Sequence, residues 1–366
     1  MNFDFSDDQK LLRTTARDFL NEHAPLSLCR AVLESDASYS DTLWRAVADM
    51  GWLGTAIPEE YGGSGFGRLE LAVMAEELGR VLAPIPFSSS IYLAAEAILL
   101  AGSAAQKQQY LPKLACGEWI GTFACAEKPG DVGSAATSTT FADGTLTGFK
   151  TAVPDGNAAH CAVVTARQGK SLVLALVELS ARGVTRQPVR SIDPSRSLAS
   201  LRFAGAPAQL LGDAASGATT LAKLLDRAAV LIAFEQIGAA TRAFEITREY
   251  CLSRYAFGRP IASFQAIKHR LADLYVEIEL ARSNAYYGAW ALSTDSPELG
   301  VAACGARASA SDAFDLASQE MIQMHGGVGY TWEFDCHLFY RRAKYLGTLL
   351  GSAQQWREQL MQRLDT

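Results

Sequence analysis

Apolar residues recur at helical spacing through the first third of the chain. In the segment SDDQKLLRTTARDFLNEHA, positions such as Leu12, Ala16 and Leu20 fall on one face of a helix. Ser6 and Gln9, placed just before this apolar face, have the spacing of a capping box, in which each side chain satisfies a backbone N–H of the first turn. The pattern therefore predicts a helix beginning after Ser6, within a helical region that extends over residues 5–115.

The pattern changes twice along the rest of the chain. From about 118 to 212, short β-branched runs such as HCAVVTA and SLVLALVEL are separated by Gly, Asp and Pro, which is typical of strands and turns. From about 216 onward helical periodicity returns, with interruptions only at 257–260, 295–297 and 326–329. We expect a mainly α protein with a central β domain.

Composition and charge exclude several classes of function. The chain has 366 residues, a net charge of −6 and 49% hydrophobic residues, so it can bury a large core but has no basic face for nucleic acid. No run approaches the ~20 apolar residues of a membrane span, which predicts no membrane insertion and a cytoplasmic location. The seven cysteines lack CxxC spacing and the five histidines lack HxxxH or HxxE spacing, so we expect neither disulfides nor a metal site.

The stretch RYAFGRPIASFQ at 254–265 carries the most chemistry. The Arg254 guanidinium can fork onto a pyrophosphate, and Gly258 and Pro260 favour a turn between two helices. Phe257 and Gln265 can pack against and hydrogen-bond a flavin. The alternative is an ordinary corner between helices with solvated charges.

Three motifs together resemble the acyl-CoA dehydrogenase family. The 254–265 stretch is similar to its flavin-binding signature, GWLGTAIPEEYGGSG at 51–65 to its substrate-side loop, and QMHGGVGYTWE, beginning at Gln323, to its second flavin segment. Backbone amides exposed at the Gly326-Gly327 turn suit the adenine–pyrophosphate end. The resemblance implies FAD as cofactor, an acyl-CoA as substrate and an electron-transfer acceptor protein as partner. It implies contacts to FAD from Arg254, Phe257, Gln265, Gln323, Gly326 and Gly327.

The same resemblance implies a three-domain fold. Its parts are an N-terminal helical domain, a middle β-barrel-like domain and a C-terminal four-helix bundle. On the composition boundaries described above, we place these domains at 1–115, 116–215 and 216–366.

Acyl-CoA dehydrogenation requires a carboxylate base to remove the α-proton. Much of the family carries a Glu before a Gly-Thr near the C-terminus, and the corresponding position here is Leu350, before Gly351. A second group of the family carries its base immediately before an Arg on an earlier helix, where this chain has Asp226. We therefore take Asp226 as the catalytic base; the alternative is an acid in a first helical turn, pairing with Arg227 or with the helix dipole.

Glu235 is the next candidate for the base. It lies nine residues after Asp226, on roughly the opposite face of a helix, so the two carboxylates cannot serve one site. For Glu235 we expect a surface or interface pair with Arg242.

The middle region departs from the family pattern on the flavin-ring side. Ala126 and Pro154 stand where the family has threonines, and Ala152 stands where it has a tryptophan. These absences resemble the acyl-CoA dehydrogenases of bacterial sterol and bile-acid side-chain breakdown, which often share a GYTWE-type segment and form α2β2 heterotetramers.

The resemblance to the sterol branch implies a bulky or branched acyl-CoA and leaves the assembly open. The chain is a homo-oligomer, or it is a catalytically incomplete subunit whose partner supplies the ring-side half of the flavin site. A flavin-dependent monooxygenase on the same fold, which needs no α-proton base, and a nonenzymatic scaffold are the remaining alternatives.

Overall fold

The computed structural model describes residues 5–128, 130–132 and 137–365. The chain begins with six helices: α1 Asp7–His23, α2 Leu26–Leu33, α3 Asp41–Asp49, α4 Arg68–Arg80, α5 Glu96–Ala101 and α6 Ala104–Ala115. Short 3₁₀ turns follow α3, and a π-helical segment, Ser88–Ala95, leads directly into α5. The first helix confirms the prediction from sequence, because Ser6 and Gln9 form both hydrogen bonds of the capping box.

Eight strands form the central sheet. They are β1 Gly121–Ala124, β2 Thr140–Ala142, β3 Thr145–Pro154, β4 Cys161–Gln168, β5 Ser171–Glu178, β6 Val184–Val189, β7 Leu198–Pro207 and β8 Gln209–Leu211. Their order is β6-β7-β3-β2-β4-β5-β8, with β1 paired in parallel to β4. The long antiparallel pair β3–β7 contains register shifts between Leu146 and Thr147 and between Lys150 and Val153.

The remainder of the described chain is helical. It consists of α7 Gly217–Ser253, α8 Gln265–Ser293, α9 Leu299–His325, α10 Cys336–Thr348 and α11 Ala353–Leu364, with a hairpin of β9 Tyr255–Ala256 and β10 Arg259–Pro260 between α7 and α8. The interruptions predicted at 257–260, 295–297 and 326–329 fall at breaks between these helices. A mainly helical fold with a central sheet and a C-terminal helical bundle is therefore confirmed, whereas the exact domain boundaries stay a prediction.

The chain divides into two compact units. The first unit contains Met1–Arg30, Ala72–Ala83 and Ala229–Thr366, and its described part is helical apart from the β9–β10 hairpin. The second unit contains Ala31–Leu71 and Pro84–Ala228 and includes the eight-stranded sheet.

Among the described residues, no helix is both long and apolar enough to cross a membrane. All seven cysteines are free, and no cluster of His, Cys, Asp and Glu within the described ranges could hold a metal ion.

Candidate functional site

The two segments assigned to the adenine end of a flavin are neighbours in the first unit. The rings of Tyr250, near the end of α7, and His325, at the end of α9, stack with centroids 4.1 Å apart, and Tyr250 Oη donates to the His325 carbonyl at 3.4 Å. Behind this stack, Cys251, Leu271 and Met324 form a buried apolar cluster. The cluster fixes the corner after α7 beside the turn after α9, although the segments are far apart in sequence.

His325 is neutral in this position. Its ring Nδ1 lies 2.7 Å from the Met321 carbonyl, which can only accept, so Nδ1 carries the proton. Burial lowers the pKa of His325 and outweighs the opposing effect of that hydrogen bond. A neutral His325 stacks on Tyr250 and fixes the backbone entering Gly326.

The corner after α7 is a tight hairpin with an exposed tip. The Arg254 carbonyl accepts from Ile261 N at 2.8 Å, which closes the hairpin, and Phe257 at the tip is 95% exposed with a φ of 54°. A bulky residue rarely adopts this left-handed conformation. The guanidinium of Arg259 lies 4.1 Å from the centroid of the Phe264 ring, which orders the second strand of the hairpin.

The predicted adenine-end residues present chemistry that fits a diphosphate. Arg254, Gln265 and Gln323 are exposed, and a Cβ added at Gly326 or Gly327 would meet no atom within 4 Å, so the backbone borders open space. A guanidinium, two amide side chains and glycine N–H groups are donors that suit phosphate and adenine groups. These residues therefore fit the adenine–pyrophosphate half of FAD; their contacts to it stay a prediction.

Leu350 occupies a buried turn between α10 and α11. The side chain is 7% exposed, and the backbone is left-handed with a φ of 58°. Beneath this turn, the buried Arg307 Nη2 donates to the Leu349 carbonyl at 2.7 Å and also to the Leu346 carbonyl. The turn is held by a residue of α9, and it presents an apolar side chain where much of the family has a base.

Arg307 is a buried cation in the first unit. Burial lowers its pKa to about 9, and the charge of Glu235 opposes that shift. Its Nη1 donates to Gln236 Oε1 at 2.5 Å and to the hydroxyl of Ser311. Glu235 is 5% exposed, so it is not a surface residue as expected: its charge offsets that of the buried Arg307, and Arg242 lies 3.3 Å from Glu245. An interface pair between Glu235 and Arg242 stays a prediction.

Asp226 is buried in the interior of a helix. It is the tenth residue of α7, which begins at Gly217, so it is not an acid of a first helical turn. The neighbouring Arg227 directs Nη1 to Glu96 Oε1 at 2.5 Å, and Arg68 approaches the same oxygen at 2.9 Å. Asp226 itself is 9% exposed. Its assignment as catalytic base stays a prediction.

The three departures on the ring side gather at one corner of the sheet in the second unit. Ala126 accepts through its carbonyl from Thr151 N at 2.8 Å, and the Pro154 carbonyl accepts from the Thr122 hydroxyl at 2.5 Å. Ala152 is exposed, has a φ of 49° and lies at the bulge between β3 and β7. Positions 129, 133 and 134 of the segment ACAEKPGDVGS lie outside the described residues.

This corner contains charged residues that the sequence reasoning missed. Lys150 pairs with Glu127 at 2.9 Å, and Arg196 pairs with Asp155 at 3.3 Å, all in or beside the sheet. The sequence did indicate that Lys150 is buried. Side chains alternate between the two faces of a strand, so Lys150, four residues after the buried Leu146, lies on the same inward face of β3. Nothing in the sequence identified Arg196 as the partner of Asp155.

The chain is similar in sequence to known proteins over both of its helical regions. Residues 6–118 match the family model of the acyl-CoA dehydrogenase N-terminal domain, and residues 215–364 match that of the C-terminal domain. Acyl-CoA dehydrogenase IpdE2 of Mycobacterium tuberculosis is 36% identical over 361 residues, which cover 98% of this chain and 97% of that protein.

Two solved structures extend the comparison. The structure of a variant of the Tcur3481-Tcur3483 steroid ACAD has a TM-score of 0.90 and 31% identity, covering 98% of both chains. The ChsE4-ChsE5 complex from Mycobacterium tuberculosis has a TM-score of 0.91 and 26% identity, covering 100% of this chain and 99% of that one. The resemblance to the sterol branch is thus supported by a steroid acyl-CoA dehydrogenase of similar structure.

The cofactor prediction, FAD, is confirmed at the level of the family, whose members are FAD-dependent flavoproteins. This chain matches two family models and is similar to IpdE2 over almost its full length. We conclude that the chain belongs to the acyl-CoA dehydrogenase family.

Proposed function

We propose that this chain catalyses the FAD-dependent α,β-dehydrogenation of a bulky or branched acyl-CoA, of the kind formed by a steroid side chain. The observation that carries the proposal is the similarity over 98% of the chain to the structure of a steroid acyl-CoA dehydrogenase. The apolar Leu350 adds support, because it removes a charged group from the turn where much of the family has its base.

The reaction assigns separate tasks to the residues of the chain. FAD, when bound, supplies the acceptor for the hydride that leaves the β-carbon. Arg254, Gln265 and Gln323 hold its diphosphate and adenine groups. A carboxylate must take the proton from the α-carbon, and Asp226 has that role in this proposal because Leu350 has no proton acceptor.

A second candidate function is a catalytically incomplete subunit of a heteromeric dehydrogenase. It is favoured by the ring-side corner, where Ala126, Ala152 and Pro154 offer neither the hydroxyls nor the aromatic wall of the family pattern. At roughly 0.5–1.5 kcal/mol for each neutral hydrogen bond, two missing hydroxyls weaken flavin binding by about tenfold or more. A partner subunit in an α2β2 heterotetramer would then complete the site.

The exposed aromatic residues of the first unit support assembly with another chain. Phe257 is 95% exposed, Tyr330 83% and Trp332 47%, and all three lie in the two adenine-end segments. Exposed aromatic groups concentrated in one region are typical of an interaction surface. A homo-oligomer and a heterotetramer both cover such a surface, and a separate electron-transfer protein reoxidises the flavin.

The two candidates differ in what the chain does alone. We would purify the chain by itself and together with a co-expressed second acyl-CoA dehydrogenase subunit, and record the mass and the visible spectrum of each. Ferrocenium reduction would then be measured with straight-chain and steroid side-chain acyl-CoA thioesters. Turnover of the bulky substrate by the chain alone supports the complete enzyme, and turnover only with the partner supports the incomplete subunit. Flavin-containing protein that reduces ferrocenium with neither substrate class contradicts the proposed function.

A further inference from the structure

The ring-side corner of the second unit lies between two ion pairs, one partly buried and one buried. Lys150 directly precedes residues 151–154, and its Nζ lies 2.9 Å from Glu127 Oε1. Asp155 directly follows them, and its Oδ2 lies 3.3 Å from Arg196 Nη2. The side chains of Lys150, Arg196 and Asp155 are at most 2% exposed, and that of Glu127 is 15% exposed.

Lys150 binds more than its carboxylate partner. Its Nζ donates to the Cys125 carbonyl at 3.1 Å, to Thr137 Oγ1 at 2.7 Å and to Thr165 Oγ1 at 3.0 Å. Four acceptors, including Glu127, thus surround one ammonium group. The residues after β1 are held to β3 and β4 by this single cation.

The Glu127 carboxylate also accepts several hydrogen bonds besides the one from Lys150. It accepts from Ser138 N at 2.6 Å and from Thr139 N at 2.8 Å, besides the hydroxyls of Thr137 and Ser138. Burial alone would raise the pKa of Glu127, but the hydrogen bonds from Ser138 and Thr137 hold it well below its usual range. The carboxylate is therefore charged and fixes the backbone on both sides of the pair.

The second pair extends to the π-helical segment. Ser88 Oγ accepts from Arg196 Nη2 at 2.7 Å, and Ser89 Oγ donates to Asp155 Oδ2 at 2.7 Å. Asp155 N donates to the Ser197 carbonyl at 2.8 Å, and the backbone of Asp155 is left-handed with a φ of 53°. Residues from three separate parts of the sequence fix this end of the corner.

Between the two pairs the backbone is irregular and strained. The register of β3 against β7 shifts between Lys150 and Val153, so Thr151 and Ala152 form a bulge, and Ala152 has a φ of 49°. Bulges near functional sites redirect side chains, and non-glycine residues keep a left-handed backbone only where the surroundings enforce it. Buried ion pairs contribute little net stability compared with apolar replacements of similar volume. The strain and the two pairs together indicate a function in positioning.

We propose that the Lys150–Glu127 and Arg196–Asp155 pairs are positioning residues that hold the Thr151–Ala152 bulge in the shape that meets the ring end of the flavin. This inference rests on the proposed function. Because the side chains at 126, 152 and 154 offer no hydroxyl, this bulge would hold the ring end through backbone groups and the Thr151 hydroxyl, which lies 3.4 Å from Ser200 Oγ.

A double variant, Lys150→Met with Glu127→Gln, tests the proposal. It removes both charges, leaves the side-chain volumes nearly unchanged and leaves no buried charge without its partner. The full chain is used for these measurements. If FAD binding requires a partner subunit, the complex of the two subunits is used instead. We expect a cooperatively folded protein whose dissociation constant for FAD rises tenfold or more and whose flavin absorbance bands shift. The matched control is Arg357→Met with Asp312→Asn, which removes an ion pair whose side chains are 54% and 48% exposed. We expect this control to leave the flavin spectrum and the FAD affinity unchanged.

A folded double variant with wild-type FAD affinity and spectrum would overturn the proposal. If the double variant does not fold, Ser89→Ala decides, because it removes one hydrogen bond to Asp155 and no charge: a shifted flavin spectrum supports the proposal and an unchanged one overturns it. Failure of the proposed function is a separate result. It appears as wild-type protein that binds FAD with normal affinity but is not reduced by any acyl-CoA.

Discussion

Gly79 in α4 and Gly238 in α7 lie at a helix crossing where each backbone approaches the other helix too closely for a side chain. A Cβ added at Gly79 would lie 1.9 Å from the Glu235 carbonyl oxygen, and one added at Gly238 would lie 1.9 Å from the Glu76 carbonyl oxygen. The contact is reciprocal, and both obstacles are backbone atoms that a rotamer change cannot move. The two glycines set the distance between α4 and α7 in the first unit.

Alanine at either glycine should therefore destabilise the protein. We expect Gly79→Ala and Gly238→Ala each to lower the free energy of unfolding by about 2 kcal/mol or more, because the helices must separate. The control is Gly305→Ala in α9, where a Cβ would meet no atom within 4 Å. That substitution should stabilise the protein by roughly 0.5–1 kcal/mol through helix propensity. Urea unfolding of the three variants measures the difference, and equal effects at all three positions would contradict this description of the crossing.

Arg254→Ala should weaken FAD binding. Loss of a charge-assisted, forked contact to the pyrophosphate costs about 1.5–3 kcal/mol, which corresponds to a tenfold to hundredfold rise in the dissociation constant. Arg248→Ala removes another exposed guanidinium, from α7, and serves as the control, with FAD affinity unchanged. Fluorescence titration of the deflavinated proteins measures both. Full retention of yellow colour by the Arg254 variant after extensive dialysis would show that the pyrophosphate is bound elsewhere.

Asp226→Asn should slow flavin reduction by acyl-CoA by ~10²-fold or more while leaving folding and flavin absorbance nearly unchanged, since the amide cannot accept the α-proton. Stopped-flow absorbance at the flavin band measures the rate. Asp312→Asn, at an exposed position, controls for the loss of one carboxylate. Reduction of the Asp226 variant at the wild-type rate would assign the base to another residue or to a partner subunit.

Acid should destabilise the second unit through Glu127. The pKa of Glu127 is lowered from 4.5 in the folded protein, despite burial, by hydrogen bonds from Ser138 and Thr137. A depressed folded pKa means that the unfolded chain takes up the proton first, so the contribution is complete above pH 4.5 and is lost as the pH falls below it. Melting temperatures between about pH 7 and about pH 3.5 should fall more steeply for wild-type protein than for Lys150→Met/Glu127→Gln. Parallel curves for the two proteins would show that Glu127 is not linked to acid stability.

The sequence predicted the features that depend on local periodicity. The capping box at Ser6 and Gln9, the change to strands in the middle third and the helix breaks near 257 and 326 are all set by residues close together in the chain. The motif after α7 likewise predicted a turn between two helices, where the structure has the β9–β10 hairpin. Such features can be predicted from one sequence because neighbouring residues determine them.

Features set by distant residues were not predicted. The Arg196–Asp155 pair joins positions 41 apart, and the hydrogen bond of Arg196 to Ser88 joins positions 108 apart. The burial of Glu235 was not predicted for the same reason, because it depends on which helix packs against α7, here α9 with Arg307. Spacing along one helix cannot indicate a partner that another helix provides.

At Leu350 the conformation of the backbone does not depend on the side chain that the residue carries. Leucine has no preference for a left-handed φ of 58°, so the shape of this turn is imposed from outside, by the hydrogen bonds of Arg307 to the carbonyls of Leu346 and Leu349. The side chain at position 350 is therefore separable from the shape of the loop that carries it. One substitution at this position would place a proton acceptor in the turn, while the scaffold around it remains constant.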